Sequence, residues 1–108
     1  MPWDIVFSNT NEDVIMQVDT GNALMAGEDV VPYIEKYPGR AKTVHLKEYS
    51  ASDPNALIGD GDVDWPEVFK ACQRAGATQW YIVEQETWET SSLEAARKNL
   101  EALRKMGV

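Results

Sequence analysis

Three short apolar runs, each followed by a polar loop and then a stretch of helical spacing, limit what this chain can become. The runs lie at 14–19 ("VIMQVD"), 43–48 (within "KTVHLKEY") and 79–85 ("QWYIVEQ"), and the helical stretches cover 28–37, 65–75 and 92–106. β-Branched and aromatic residues are frequent in the runs, as suits a pleated, half-buried surface. Strands alternating with helices of this length are joined by right-handed crossovers, so the strands lie parallel in one sheet. The pattern predicts an α/β fold of about three βα units. An opening segment, "PWDIVFSN", reads as a short helix ahead of the first strand.

Local signals place the helix ends. Pro32 is compatible with a helix only in its first turn, and Pro38-Gly39 closes that segment. Asp64, with Pro66 in the first turn and Glu67 three residues on, caps the second helix. Val68, Cys72 and Ala75 form its apolar stripe, and Gly76 is its stop. Ser91 and Glu94 make a capping box for the last helix, where Leu93, Ala96, Leu100 and Leu103 recur at spacings of three and four and Gly107 ends the run.

A chain of 108 residues, 44% apolar and 26% charged, has the make-up of one soluble domain, 1–108, with a modest core. Its ten Lys and Arg are scattered among 18 acids, for a net charge of −8. Phosphate backbones need clustered cations, so nucleic acid is not an expected partner. No apolar run reaches the roughly 18 residues of a membrane span, so no membrane partner is expected. The start, "MPWDIVFS", has no secretion-signal pattern. The one cysteine, Cys72, allows no internal disulfide framework and reads as a buried, inert thiol. Together these features lead to an expected cytoplasmic location.

Each run ends in a side chain able to hold a metal ion: Asp19, His45 and Glu84. Ligands in parallel βαβ folds lie at the carboxyl ends of the strands. Because side chains alternate, Gln17 and Asp19 share a face, as do His45 and Lys47, and Glu84 and Glu86. Val18, Leu46 and Val83 suit the opposite face, under helices. Each residue also has a plain structural reading: Asp19 as a turn cap, His45 as a hydrogen-bonded core residue, Lys47 as a solvated rim lysine. A glutamate inside an apolar strand is harder to explain without a partner or an ion. The three together form a set of oxygen and nitrogen donors suited to Mn²⁺, Mg²⁺, Co²⁺ or Zn²⁺; the donors alone do not choose among them, and Mn²⁺ is the expected ion. The "IGDGDVDW" loop reads as a turn and cap, since it lacks the spacing and final glutamate of a Ca²⁺-binding EF-hand loop.

"VDTGN", "YPGRAKTVHLKEY", "IGDGDVDW" and "WYIVEQE", in that order, resemble the C-terminal part of the xylose-isomerase-like (β/α)₈-barrel family. That family contains sugar isomerases and epimerases, inosose dehydratases and, more remotely, apurinic endonucleases. The resemblance implies a partial TIM barrel and a divalent-metal-dependent isomerase or epimerase acting on a sugar or polyol by proton transfer through an enediolate. It places the metal on Asp19, His45 and Glu84, and the catalytic base on Glu84. Lys47 is a candidate contact for substrate oxygens. Asn22 stands where many of the epimerases have a histidine, and is the substrate-binding candidate there. A further family glutamate, ending an earlier strand, has no counterpart in this sequence. An inosose-dehydratase type of lyase is an alternative on the same scaffold, as is an inactive fragment. A whole barrel takes roughly 200 residues or more. Self-association through an edge strand, or pairing with a missing N-terminal portion, is therefore expected.

Overall fold

Backbone hydrogen bonding decides where the strands begin and end, and it makes each shorter than its apolar run. The computed structural model describes residues 2–108. In chain order these form α1 (Pro2–Ser8), β1 (Gln17–Asp19), α2 (Thr20–Met25), α3 (Val30–Lys36), β2 (Thr43–Leu46), α4 (Trp65–Ala71), β3 (Trp80–Val83) and α5 (Ser92–Lys105). The sheet order is β1-β2-β3, and both pairings are parallel. This is the expected α/β arrangement of three βα units.

The first strand begins at Gln17, not at 14. The Val14 carbonyl is taken by the Arg40 guanidinium at 2.9 Å, and the Val14 N–H turns back to Asn11. Arg40 is buried and has no carboxylate partner; it donates to the carbonyls of Phe7 and Val14 and to the Thr10 hydroxyl. It thereby fastens α1 and the lead-in to β1. The second strand stops at Leu46 because both backbone groups of Lys47 bond the Thr20 hydroxyl, at 3.0 Å and 2.7 Å.

The core lies between the sheet and the helices on one side of it. Val18, Val44 and Leu46 from the strands, with Met16 just before β1, meet Ile34, Val68, Phe69 and Cys72 from α3, α4 and the turn after α4. Burying a side chain of this size stabilises by about 1.5–3 kcal/mol. The predicted helix 65–75 is divided: after Ala71 it widens into one π turn, Cys72–Gly76, and ends at left-handed Ala77, with φ 53°. Gly76 is required there for closeness, since a Cβ on it would lie 2.9 Å from Thr78 Oγ1 and 3.2 Å from an Ile34 methyl.

Two expectations fail on α5 and β3. Leu93 is 81% exposed and Ala96 and Leu100 are also exposed; of the expected stripe only Leu103 is buried, and Ala95 and Asn99 join it. Val83, expected under a helix, is 38% exposed. Among the described residues, no helix is long and apolar enough to cross a membrane.

Candidate metal centre

The register sets the candidate residues side by side. Asp19 pairs with His45, and His45 with Ile82, so Glu84 follows two residues further along the same face of its neighbour. Glu84 still belongs to the ladder, its N–H bonding the Leu46 carbonyl at 3.0 Å. Its side chain leans back: Oε2 lies 3.4 Å from His45 Nδ1, and Asp19 Oδ2 lies 3.7 Å from the same nitrogen. One donor atom from each of the three residues falls within 4.8 Å of the others. Donors held about 2.1 Å from one ion stand about 3 to 4.2 Å apart, so the spacing is close to what an ion requires.

Asp19 carries both of the roles read for it. Its Oδ1 accepts from the Asn22 N–H at 2.8 Å and caps α2, a helix that the sequence reading took for a turn. Its Oδ2 is buried and has no hydrogen-bond partner. A buried carboxylate oxygen without a donor is costly, and a proton shared with Glu84, a water or a cation would relieve it. The Glu84 carboxyl is accordingly held above the ordinary glutamate value, chiefly by the hydrogen bond it must share with Asp19 and then by desolvation. Two carboxylates and an imidazole converging on an unsatisfied oxygen fit a divalent ion.

Lys47 is not a solvated rim lysine. Its side chain is 16% exposed, and its ammonium lies 3.0 Å from Asn22 Oδ1 and 2.8 Å from Glu86 Oε1. These residues, with Glu84 and the segment from Tyr49 to Pro54, line a cavity of about 470 Å³, which meets the candidate ligands at Glu84. The structure thus brings together every residue singled out from the sequence: Asp19, His45 and Glu84 in one cluster, and Asn22 and Lys47 next to it.

One residue escaped the sequence reading. Glu48 is 7% exposed, and its carboxylate accepts from the N–H groups of Tyr49, Gly59 and Val63 and from the Trp65 indole. Period-two alternation puts it on the same side as Val44 and Leu46, where a charge needs an explanation; that signal was available. In the "IGDGDVDW" loop, Asp62 accepts from the Ala51 N–H and Asp64 caps α4, as a turn and cap would.

A family model described as a xylose isomerase-like TIM barrel matches residues 3–106. The chain belongs to the xylose isomerase-like TIM-barrel family. Its three units are therefore part of a TIM barrel. A sugar phosphate isomerase/epimerase from Parabacteroides distasonis superposes with a TM-score of 0.78 at 28% identity, covering 94% of this chain and 34% of the other. The inosose dehydratase of Geobacillus thermodenitrificans is 30% identical over 91 aligned residues, covering 68% of this chain and 30% of that protein. The inosose dehydratase of Lacticaseibacillus casei is 28% identical over 102, covering 77% and 34%. This xylose isomerase-like chain spans about a third of the length of these curated relatives.

Proposed function

We propose that Asp19, His45 and Glu84 hold a divalent cation, Mn²⁺ first among the candidates, and that the centre serves to remove a proton from the carbon beside a carbonyl of a sugar or polyol. The observation that carries this reading is the buried Asp19 Oδ2, without a donor and turned toward an imidazole and a second carboxylate. A divalent ion held by these residues would supply Lewis-acid polarisation of a substrate carbonyl. Asp19, anchored as a helix cap, and His45, on the central strand, fix its place. Glu84 takes the proton. Asn22 and Lys47 offer an amide and an ammonium to substrate oxygens in the cavity, Lys47 by exchanging its contact with Glu86.

The isomerase/epimerase reading and the dehydratase reading share this first step. An isomerase then returns the proton to a neighbouring carbon, whereas a dehydratase loses hydroxide from the carbon beyond, with an acid to protonate it. The relatives named inosose dehydratases make an inosose the first substrate to try. In the working enzyme, further parallel strands along β1 and β3 complete the wall and supply a second acid/base group. In isolation, the chain pairs with a copy of itself through those edges.

Proton removal calls on Glu84 as the one base among these residues, so it is the step to test. Incubated with Mn²⁺ and an inosose in D₂O, the wild type should wash deuterium into the position beside the carbonyl, read by NMR. Glu84→Gln should slow this by about 10²–10⁴-fold, the usual contribution of a general base. Equal exchange by both proteins, or none by the wild type above a Mn²⁺ blank, contradicts the proposal.

A further inference from the structure

We propose that Glu48 is a positioning residue of the candidate site. Its buried carboxylate closes residues 49–63 into the fixed wall of the ligand cavity. Eighteen residues, 47–64, separate β2 from α4 and contain no helix or strand. Their first half, Tyr49 to Pro54, forms one side of the cavity next to Glu84. A stretch of this length keeps one shape only if something fastens it.

Glu48 is that fastening. Its Oε1 accepts from the N–H groups of Tyr49 at 2.9 Å and Val63 at 3.1 Å, and its Oε2 from Gly59 N–H at 2.9 Å and the Trp65 indole N–H at 2.6 Å. Both ends of the loop and the first residue of α4 therefore meet on one anion. Among the described residues no cation pairs with it; four N–H donors satisfy it, as charge-assisted bonds can. The fit leaves no slack, since a Cβ on Gly61 would lie 2.6 Å from Glu48 Oε1 and 2.4 Å from the Tyr49 carbonyl. Asp62 completes the closure, its N–H on the Tyr49 carbonyl and its carboxylate on the Ala51 N–H.

A second set of bonds ties the far side of the wall to the strand end that carries Glu84. Gln85 donates to the carbonyls of Ala56 and Thr87, and Asn99 links Gln85 to the Ile58 N–H. The wall is thus held by Glu48 at its base and by Gln85 and Asn99 at its edge. Glu48 touches none of the three candidate metal ligands, so it acts on the shape of the cavity and not on the ion.

Glu48→Gln tests this, because either amide orientation turns an NH₂ group toward two N–H donors while volume is kept. Amide hydrogen exchange at Gly59 and Val63 should quicken by about tenfold or more. Mn²⁺ affinity, read by calorimetry, should stay within about twofold of wild type, since no ligand has changed. Affinity of the Mn²⁺-loaded protein for an inosose should fall by about tenfold or more. General destabilisation would instead lower both affinities. Trp65→Phe removes a single donor and keeps the ring, and should raise exchange at Gly59 alone; it serves if Glu48→Gln does not fold. Unchanged exchange at Gly59 overturns the inference, as does inosose affinity equal to wild type. The choice of inosose rests on the proposed function. A wild type that binds Mn²⁺ but no inosose contradicts that substrate while the exchange rates still decide the role of Glu48.

Discussion

At Asp19, one carboxylate serves two functions through different oxygens, and the pH response of the site follows from the second. Oδ1 is spent on the cap of α2, while Oδ2 is buried without a donor near the Glu84 carboxyl, where a shared proton or a cation would satisfy it. The Glu84 carboxyl is raised above its ordinary value of 4.5 for that reason. A raised carboxylate stabilises the metal-free fold below its unfolded value, and that contribution is lost as pH rises through the raised folded value. Glu84→Gln should therefore make the metal-free protein more stable than wild type at pH 7 in urea titrations. The gain should be under about 1 kcal/mol, because the group is partly solvated. With saturating Mn²⁺ the order should reverse. The ion must also displace protons from its ligands, the shared one included, so Mn²⁺ affinity should climb as pH rises from 4. Affinity that falls or stays flat over that range contradicts the shared-proton account. The three candidate ligands stand out in the sequence because each ends an apolar run. The loss of a donor at one oxygen does not, since it depends on which side of Asp19 the α2 backbone approaches.

Elements became legible where one local rule sufficed and obscure where two parts of the chain had to meet. The Ser91 and Asp64 caps form as their motifs indicate, with Ser91 Oγ accepting from the Glu94 N–H at 3.1 Å. The six-residue α2 was missed because "TGN" is also turn chemistry; it is helical because Asp19 caps it and Thr20 holds the end of β2. In α5 the helical period was right and the buried face was wrong. Leu93 and Leu100 outweigh Asn99 on any apolar scale, yet Asn99 is fully buried because its amide joins the Ile58 N–H to Gln85. Asn99→Ala should leave that N–H unpaired and open a cavity, costing about 2–4 kcal/mol in urea unfolding. A cost below about 0.5 kcal/mol would mean that the network does not hold α5 in place.

For the whole molecule, the decisive fact is a parallel sheet with two open edges. Trp80 is 68% exposed and Ile82 42% exposed on the face that carries the candidate ligands, with Leu93 and Leu100 exposed on the adjoining helix. Exposed parallel edges beside apolar surface favour association. Sedimentation of the isolated chain should show dimers or larger species at about 100 μM, and Ile82→Lys should shift them toward monomer; a wild type that stays monomeric contradicts the edge-pairing proposal. The three candidate ligands come from all three strands, so a bound ion would also tie the sheet together, and its presence is the central claim. The most direct measurement is electron spin-echo spectroscopy of one equivalent of Mn²⁺ added to the chain. His45 is the only histidine among the 108 residues, so an imidazole-nitrogen coupling has one possible source. The account predicts that coupling in the wild type and its loss in His45→Ala; a wild-type spectrum of free aqueous Mn²⁺ would contradict it.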